Sequence, residues 1–176
     1  MRLIGTTFTF LTLATFAVAV QADDARDRPT ELQVLDRFAG TWKTVVTTKA
    51  AGQTSTSVDF VARAWSDDGK GHFLVESTKP KLDDPVSHSQ GAWTYDPTSK
   101  VYRLTLMMRE WTLMSTGTWD DKTRTMTFRH TNSSGHTGSG VHRFSDKDRA
   151  EWSAVFKNDE GKVVMEMSAK QTRWER

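Results

Sequence analysis

The chain has 176 residues, no cysteine and a formal net charge of +2, from 24 basic and 22 acidic residues. Without cysteine, a disulfide framework, a thiol nucleophile and a thiolate-bound metal are excluded. The near balance of charges provides no large basic field, so we expect no nucleic-acid partner. The length is sufficient for one domain with a single hydrophobic core.

The first 22 residues have the pattern of a secretory signal peptide. Met1 and Arg2 form a short basic region, residues 3–20 carry no charge, and a cleavage site follows at Ala22. The apolar stretch is near the lower length limit for a membrane span, and no basic flank follows it. We therefore expect cleavage after residues 1–22, a disordered linker over residues 23–29 and a folded domain over residues 30–176. The mature protein is expected in the periplasm or outside the cell, without a membrane span.

The folded part begins with a short helix and continues as strands. Thr30 can cap a helix in which Leu32, Leu35 and Phe38 recur at helical spacing. From Thr41 onward the apolar period changes to two, which is typical of strands with one buried face. About ten such segments follow one another, separated by turn sequences, and none favours a helical crossover. This pattern predicts an all-β protein, an up-and-down antiparallel barrel with a short N-terminal helix.

The junction between the helix and the first strand predicts how one end of the barrel closes. Gly40 permits a tight turn at no steric cost, and Trp42 is expected to point inward and plug the closed end. Near the C-terminus, Lys170 or Arg173 is expected to place a cation over the Trp42 ring. The alternative for these two residues is a charge exposed to solvent.

Several segments resemble known barrel families. Phe38-Ala39-Gly40-Thr41-Trp42-Lys43 resembles the opening of lipocalins and fatty-acid-binding proteins. Later segments, in the same order and spacing, resemble the bacterial calycin-like family known as domain of unknown function 1579. The resemblance implies a lipocalin-like barrel and no assigned activity. The later segments are residues 69–76, 91–102, 115–120, 125–128 and 164–167.

The residues predicted to face the barrel interior are rich in aromatic side chains and methionine. Such a lining suits an apolar or flat ligand, because methionine is adaptable and aromatic rings stack. The alternative is that the same side chains fill the barrel completely. The predicted lining comprises Phe60, Val75, Trp93, Tyr102, Leu104, Leu106, Met108, Trp111, Leu113, Phe128, Trp152, Phe156, Met165 and Met167.

Two histidines are added to this lining. His130 and His142 flank a predicted loop over residues 132–139 symmetrically, so in a hairpin they are expected to face each other inside the barrel. Two imidazoles can begin a metal or haem-iron site, and His136 in the loop is a possible third ligand. The alternative is a polar lining or a pair at the rim. Because a pair lacks the usual number of ligands, we expect no metal and no cofactor.

No segment has a known catalytic motif. Glu76 and Glu166 lie within predicted strands, and their alternation with Val75 and Met165 predicts that both point outward. We therefore expect no catalytic residue, and a barrel that binds a small hydrophobic ligand inside. The alternatives are a haem-binding or metal-binding barrel that uses the two histidines, and a barrel enzyme with a cavity carboxylate.

The signal-peptide interpretation predicts the N-terminus of the exported protein. Cleavage at the small-residue site should leave a soluble protein that begins near Asp23. N-terminal sequencing or intact-mass analysis of the exported protein measures this. Recovery of Met1 in a membrane fraction would contradict the expectation.

Overall fold

The computed structural model describes residues 28–66 and 71–174, and its strands form a closed antiparallel barrel. The predicted signal peptide and linker residues 23–27 lie outside the described residues. The prediction of an all-β barrel of about ten strands is confirmed. The strands are β1 (Gly40–Ala50), β2 (Gln53–Trp65), β3 (Leu74–Lys79), β4 (Ser89–Asp96), β5 (Val101–Met108), β6 (Thr112–Asp120), β7 (Thr125–Asn132), β8 (Thr137–Phe144), β9 (Arg149–Lys157) and β10 (Val163–Arg173).

Each strand pairs with the strand that follows it in sequence, and β10 closes the barrel by pairing with β1. The closing register runs from Trp42 opposite Arg173 to Ala50 opposite Met165. Every strand is paired on both sides over part of its length, whereas residues 53–59 of β2 pair with β1 alone among the described residues. The closure also fixes which side chains of β1 and β10 meet inside the barrel.

The N-terminal segment consists of a short helix, α1 (Thr30–Gln33), followed by a 3₁₀ turn over Val34–Arg37. Thr30 is the first helical residue rather than the cap; Pro29 occupies the cap position, and no side chain caps the helix. The predicted apolar stripe of Leu32, Leu35 and Phe38 is buried. No helix among the described residues has the length and apolar character needed to cross a membrane.

The stripe residue Phe38 and the first strand together plug one end of the barrel. The Phe38 ring lies 4.9 Å from the Trp93 ring and 4.8 Å from the Phe144 ring, as measured between centroids. Trp42 has no exposed surface, and its indole Nε1 donates to the Phe38 carbonyl oxygen at 2.9 Å. The inward orientation predicted for Trp42 is therefore present, and we call this end the closed end.

In β2 the face that points into the barrel is the opposite of the one we predicted. Val61 and Arg63 are buried, whereas Phe60 lies on the outer face. There the Phe60 ring packs against Trp174, with centroids 5.4 Å apart. The prediction that Phe60 lines the interior is wrong, because the outer face of this strand has its own aromatic contact and carries the more apolar residues.

In β3 the predicted faces are also reversed. Leu74 has no exposed surface and Glu76 is 5% exposed, whereas Val75 is 47% exposed. Val75 therefore does not line the interior, and the prediction that Glu76 points outward is wrong. Glu76 is tolerated inside because Arg63 lies directly opposite it on β2 and compensates its charge. Glu166 is exposed, as expected.

Truncation of the plug tests this account of the closed end. Trp42→Ala should lower the free energy of unfolding by about 3–5 kcal/mol, because a fully buried indole is deleted and a cavity remains. Trp174→Ala is the matched control, since Trp174 lies on the barrel exterior, and should cost only about 1 kcal/mol. Urea denaturation measures both. Equal losses in the two variants would refute the plug assignment.

Candidate functional site

The interior beyond the plug is a cavity of about 320 Å³, lined by residues from all ten strands. Its wall is mostly apolar, and most of the residues predicted to line the interior are on it. A volume of this size suits one small organic ligand. The predicted residues found on the wall are Trp93, Leu104, Leu106, Met108, Trp111, Leu113, Phe128, His130, His142, Trp152, Phe156 and Met167.

Four predicted lining residues lie elsewhere. Phe60 and Val75 are on the outer face, as described above. Tyr102 belongs to the core of the closed end, where its hydroxyl donates to the Glu31 carbonyl oxygen at 2.8 Å and burial raises the pKa of the phenol to about 12. Met165 packs beside the apolar cluster around Phe156, next to an irregularity in the pairing of β9 and β10, and is not on the wall.

Four polar residues that line the cavity were not predicted to do so: Thr44, Arg63, Glu76 and Gln171. Only the strand register reveals them, since it places Arg63 opposite Glu76 and Thr44 opposite Gln171. Trp93 and His142, which were predicted to line the interior, line the same cavity, and their rings contact the Phe38 ring of the plug. We call these six residues the cavity floor: Thr44, Arg63, Glu76, Trp93, His142 and Gln171.

An ion pair lies at the centre of the cavity floor. Arg63 Nε donates to Glu76 Oε2 at 2.6 Å, and both side chains are more than nine-tenths buried. Trp93 Nε1 donates to the same carboxylate oxygen at 2.9 Å, and the Arg63 guanidinium lies 5.5 Å from the Trp93 ring centroid. Removing one partner of such a pair leaves an uncompensated buried charge, so the two residues depend on each other.

The rest of the floor is only partly hydrogen-bonded. Gln171 Nε2 donates to Thr44 Oγ1 at 3.0 Å, on the strand pair that closes the barrel. Among the described residues, no partner exists for three enclosed atoms of the floor, Arg63 Nη1, His142 Nε2 and Gln171 Oε1. Burial, reinforced by the positive charge of Arg63, holds the pKa of His142 well below its usual range, so this imidazole is neutral.

His130 is a second buried imidazole, higher on the wall. Its ring is stacked between Phe128 and Phe156, with centroids 5.6 and 5.5 Å away, and its Nδ1 lies 2.8 Å from the Ser115 hydroxyl oxygen. Burial lowers the pKa of His130 to about 4. Its Nε2 reaches the inner surface of β8, where a Cβ at Gly140 would lie only 2.5 Å away. His130 therefore presents a neutral, rigidly held ring.

His130 and His142 both point inward, but they do not face each other. His130 is paired with Gly138, and His142 is paired with Met126. The turn between β7 and β8 occupies residues 133–136 rather than 132–139, so the hairpin is centred nearer β7 than the sequence pattern indicates. Within residues 28–66 and 71–174, no group of three or more histidine, cysteine or acidic side chains could hold a metal ion.

Arg173 is the basic residue that lies over the plug. Its guanidinium carbon is 4.3 Å from the Trp42 ring centroid, and its Nη1 donates to the Ala39 carbonyl oxygen at 2.7 Å. Gly40 has a φ of +99°, and a Cβ there would lie 2.5 Å from the same guanidinium nitrogen. Glycine is thus required both by the backbone and by the close approach of Arg173. Lys170 is exposed on the outer face.

The two buried histidines predict how stability depends on pH. In the unfolded chain, His130 takes up a proton near pH 6.5, whereas the folded protein resists this until about pH 4. Between pH 6.5 and about pH 4 the unfolded chain therefore binds more protons than the folded protein. The free energy of unfolding should fall as the pH is lowered through this range. Burial of His142 acts in the same direction.

Urea denaturation between pH 7 and pH 4 measures this effect. In His130→Gln the decline should be shallower by up to about 1.4 kcal/mol per pH unit, the equivalent of one proton. Gln keeps a polar partner for Ser115 without titrating. Parallel curves for the wild type and the variant would contradict the assignment.

Comparison with solved structures places the barrel among proteins of the same fold. Rv2717c from M. tuberculosis aligns with a TM-score of 0.62 and 15% identity, over 85% of this chain and 100% of that one. The S-type phycobiliprotein lyase CPES from Guillardia theta aligns with a TM-score of 0.59 and 10% identity, over 89% of this chain and 99% of that one. Identities this low indicate a shared fold and nothing more.

A third structure, a protein of unknown function of the DUF3598 family from Nostoc punctiforme, aligns with a TM-score of 0.51 and 10% identity. That alignment covers 80% of this chain and 48% of the other. No curated protein matches the chain in sequence. The family model described as protein of unknown function (DUF1579) matches residues 29–173, which includes every strand and both ends of the barrel. The chain belongs to the DUF1579 family.

Proposed function

We propose that the protein binds one small, mainly apolar molecule inside the barrel and catalyses no reaction on it. The observation that carries the proposal is the cavity of about 320 Å³, whose wall above the floor is lined by aliphatic and aromatic side chains together with several polar ones such as Asp59, Thr78 and Ser89. Burial of apolar ligand surface against such a wall supplies the affinity, and a few polar groups fix the orientation.

The chemistry of the wall favours a flat or aromatic body in the ligand. Trp111 and Phe156 stand edge to face with centroids 6.4 Å apart, and Trp93 and Phe128 do so at 5.7 Å. These rings offer both faces and edges for contact. Met108 and Met167 also line the cavity, and their flexible thioethers can adapt to the outline of a ligand.

The alternatives have weaker support. Glu76 is a buried carboxylate in the cavity, as an enzyme would need, but Arg63 and Trp93 both engage its Oε2. Such contacts favour a structural ion pair over a free general base. His130 and His142 lie on different levels of β7 and β8, which does not support joint ligation of haem or metal. The N-terminal sequence pattern supports binding in the periplasm or outside the cell.

Fluorescence titration with N-phenylnaphthylamine, a neutral apolar dye, tests the proposal. The native protein should bind it saturably at one site and transfer excitation from the wall tryptophans to it. Met108→Trp should abolish uptake, because the larger side chain occupies the cavity, while the fold survives. Met107→Trp is the matched control, because Met107 is the preceding residue of β5 and is 57% exposed. This substitution should leave binding unchanged.

Two results would overturn the proposal. One is the absence of saturable binding to the native protein, with uptake only by a partly unfolded state, because such states also take up apolar dyes. The other is a loss of about 1–3 kcal/mol in stability for Met108→Trp, as expected if the interior were already filled.

A further inference from the structure

We propose that the ligand carries an uncharged polar group with both a hydrogen-bond acceptor and a donor, and that this group binds on the cavity floor. This inference rests on the proposed function and specifies the class of molecule that the barrel binds. It is carried by the unpaired polar atoms of Arg63, His142 and Gln171.

The three unpaired atoms belong to buried side chains that line one cavity. Arg63, His142 and Gln171 are each more than nine-tenths buried, and each contributes to the lining of the same cavity. The described residues contain only four enclosed side-chain atoms without a partner, and three of them belong to the floor. Leaving such atoms unpaired is costly, and native structures rarely do so without a functional or solvent partner.

The charge of the floor selects against an ionised ligand. Glu76 compensates Arg63 at 2.6 Å, and His142 is neutral, so these ionisable groups of the floor sum to zero. A carboxylate or an ammonium group placed there would be a buried charge without a counter-ion. An uncharged group avoids this cost.

The kinds of unpaired atoms define what the group must offer. The Arg63 guanidinium only donates, so it needs an acceptor, whereas Gln171 Oε1 only accepts, so it needs a donor. His142 Nε2 can do either, depending on its tautomer. A primary amide, a protonated carboxylic acid or a hydroxyl group offers both functions. An ionised carboxylate offers no donor.

The position of the floor sets the orientation of the ligand. The floor adjoins the plug at Phe38. Met108 is the last residue of β5, and Trp111 lies in the connection from β5 to β6, so both line the cavity at the end of β5 opposite the closed end. The polar group therefore enters first, and the apolar body lies along the aromatic wall towards the open end.

The experiment compares three probes of the same shape: naphthalene carboxamide, naphthalene carboxylate and methylnaphthalene, substituted at the same ring position. Each is titrated at pH 7 against the N-phenylnaphthylamine complex of the full-length mature protein. The carboxamide should displace the dye at about tenfold lower concentration than the other two, as expected for about one additional net hydrogen bond.

Gln171→Met removes the acceptor while keeping the length of the side chain. It should reduce the advantage of the carboxamide to less than about threefold and leave methylnaphthalene unaffected. Lys170→Met is the matched control, because Lys170 is the preceding residue of β10 and is exposed on the outer face. It should change none of the three affinities.

Each other result has a distinct meaning. If the dye itself does not bind, the proposed function fails and this inference fails with it. If methylnaphthalene displaces the dye but the carboxamide has no advantage, ordered water serves the floor and only this inference is overturned. The same holds if the carboxylate binds most tightly, or if Gln171→Met weakens all three probes equally.

Discussion

The burial of Trp42 beneath Phe38 and Arg173 is the constraint on which the rest of the barrel depends. The indole fills the closed end, its Nε1 is bound by the Phe38 carbonyl, and the Arg173 guanidinium covers its ring. Arg173 also donates to the carbonyl oxygens of Ala39 and Lys147, so one side chain joins the helical segment, the last strand and the turn before β9. Because one end is filled in this way, the interior space lies wholly on the other side of the plug.

The alternation of apolar residues in the sequence was sufficient to predict the strands, but it did not always predict which face of a strand points into the barrel. Ten strands and their antiparallel order follow from period-two patterns separated by turn residues, and the structure confirms them. In β2 and β3 the apolar residues Phe60 and Val75 lie outside, where Trp174 covers Phe60, while Arg63 and Glu76 lie inside. A pattern of apolar residues identifies the inner face only when the outer face is polar.

The charged and amide residues of the cavity floor could not be predicted for a related reason. A buried charge or amide is acceptable only beside its partner, and the partners of Arg63 and Gln171 lie on neighbouring strands that only the register defines. The distance between His130 and His142 likewise depended on the length of one turn. Whether the interior is open or filled depends on how side chains of known type pack, which the order of residues along the chain does not specify.

The close approach of His130 to β8 has an evolutionary consequence. The imidazole Nε2 occupies space that any side chain at position 140 would need, since even a methyl group would lie 2.5 Å from it. Family members that carry a larger residue at position 140 must therefore have a smaller or differently placed residue at position 130. These two positions should covary across the family, and the pairs they form should report how the shape of the upper part of the cavity differs between its members.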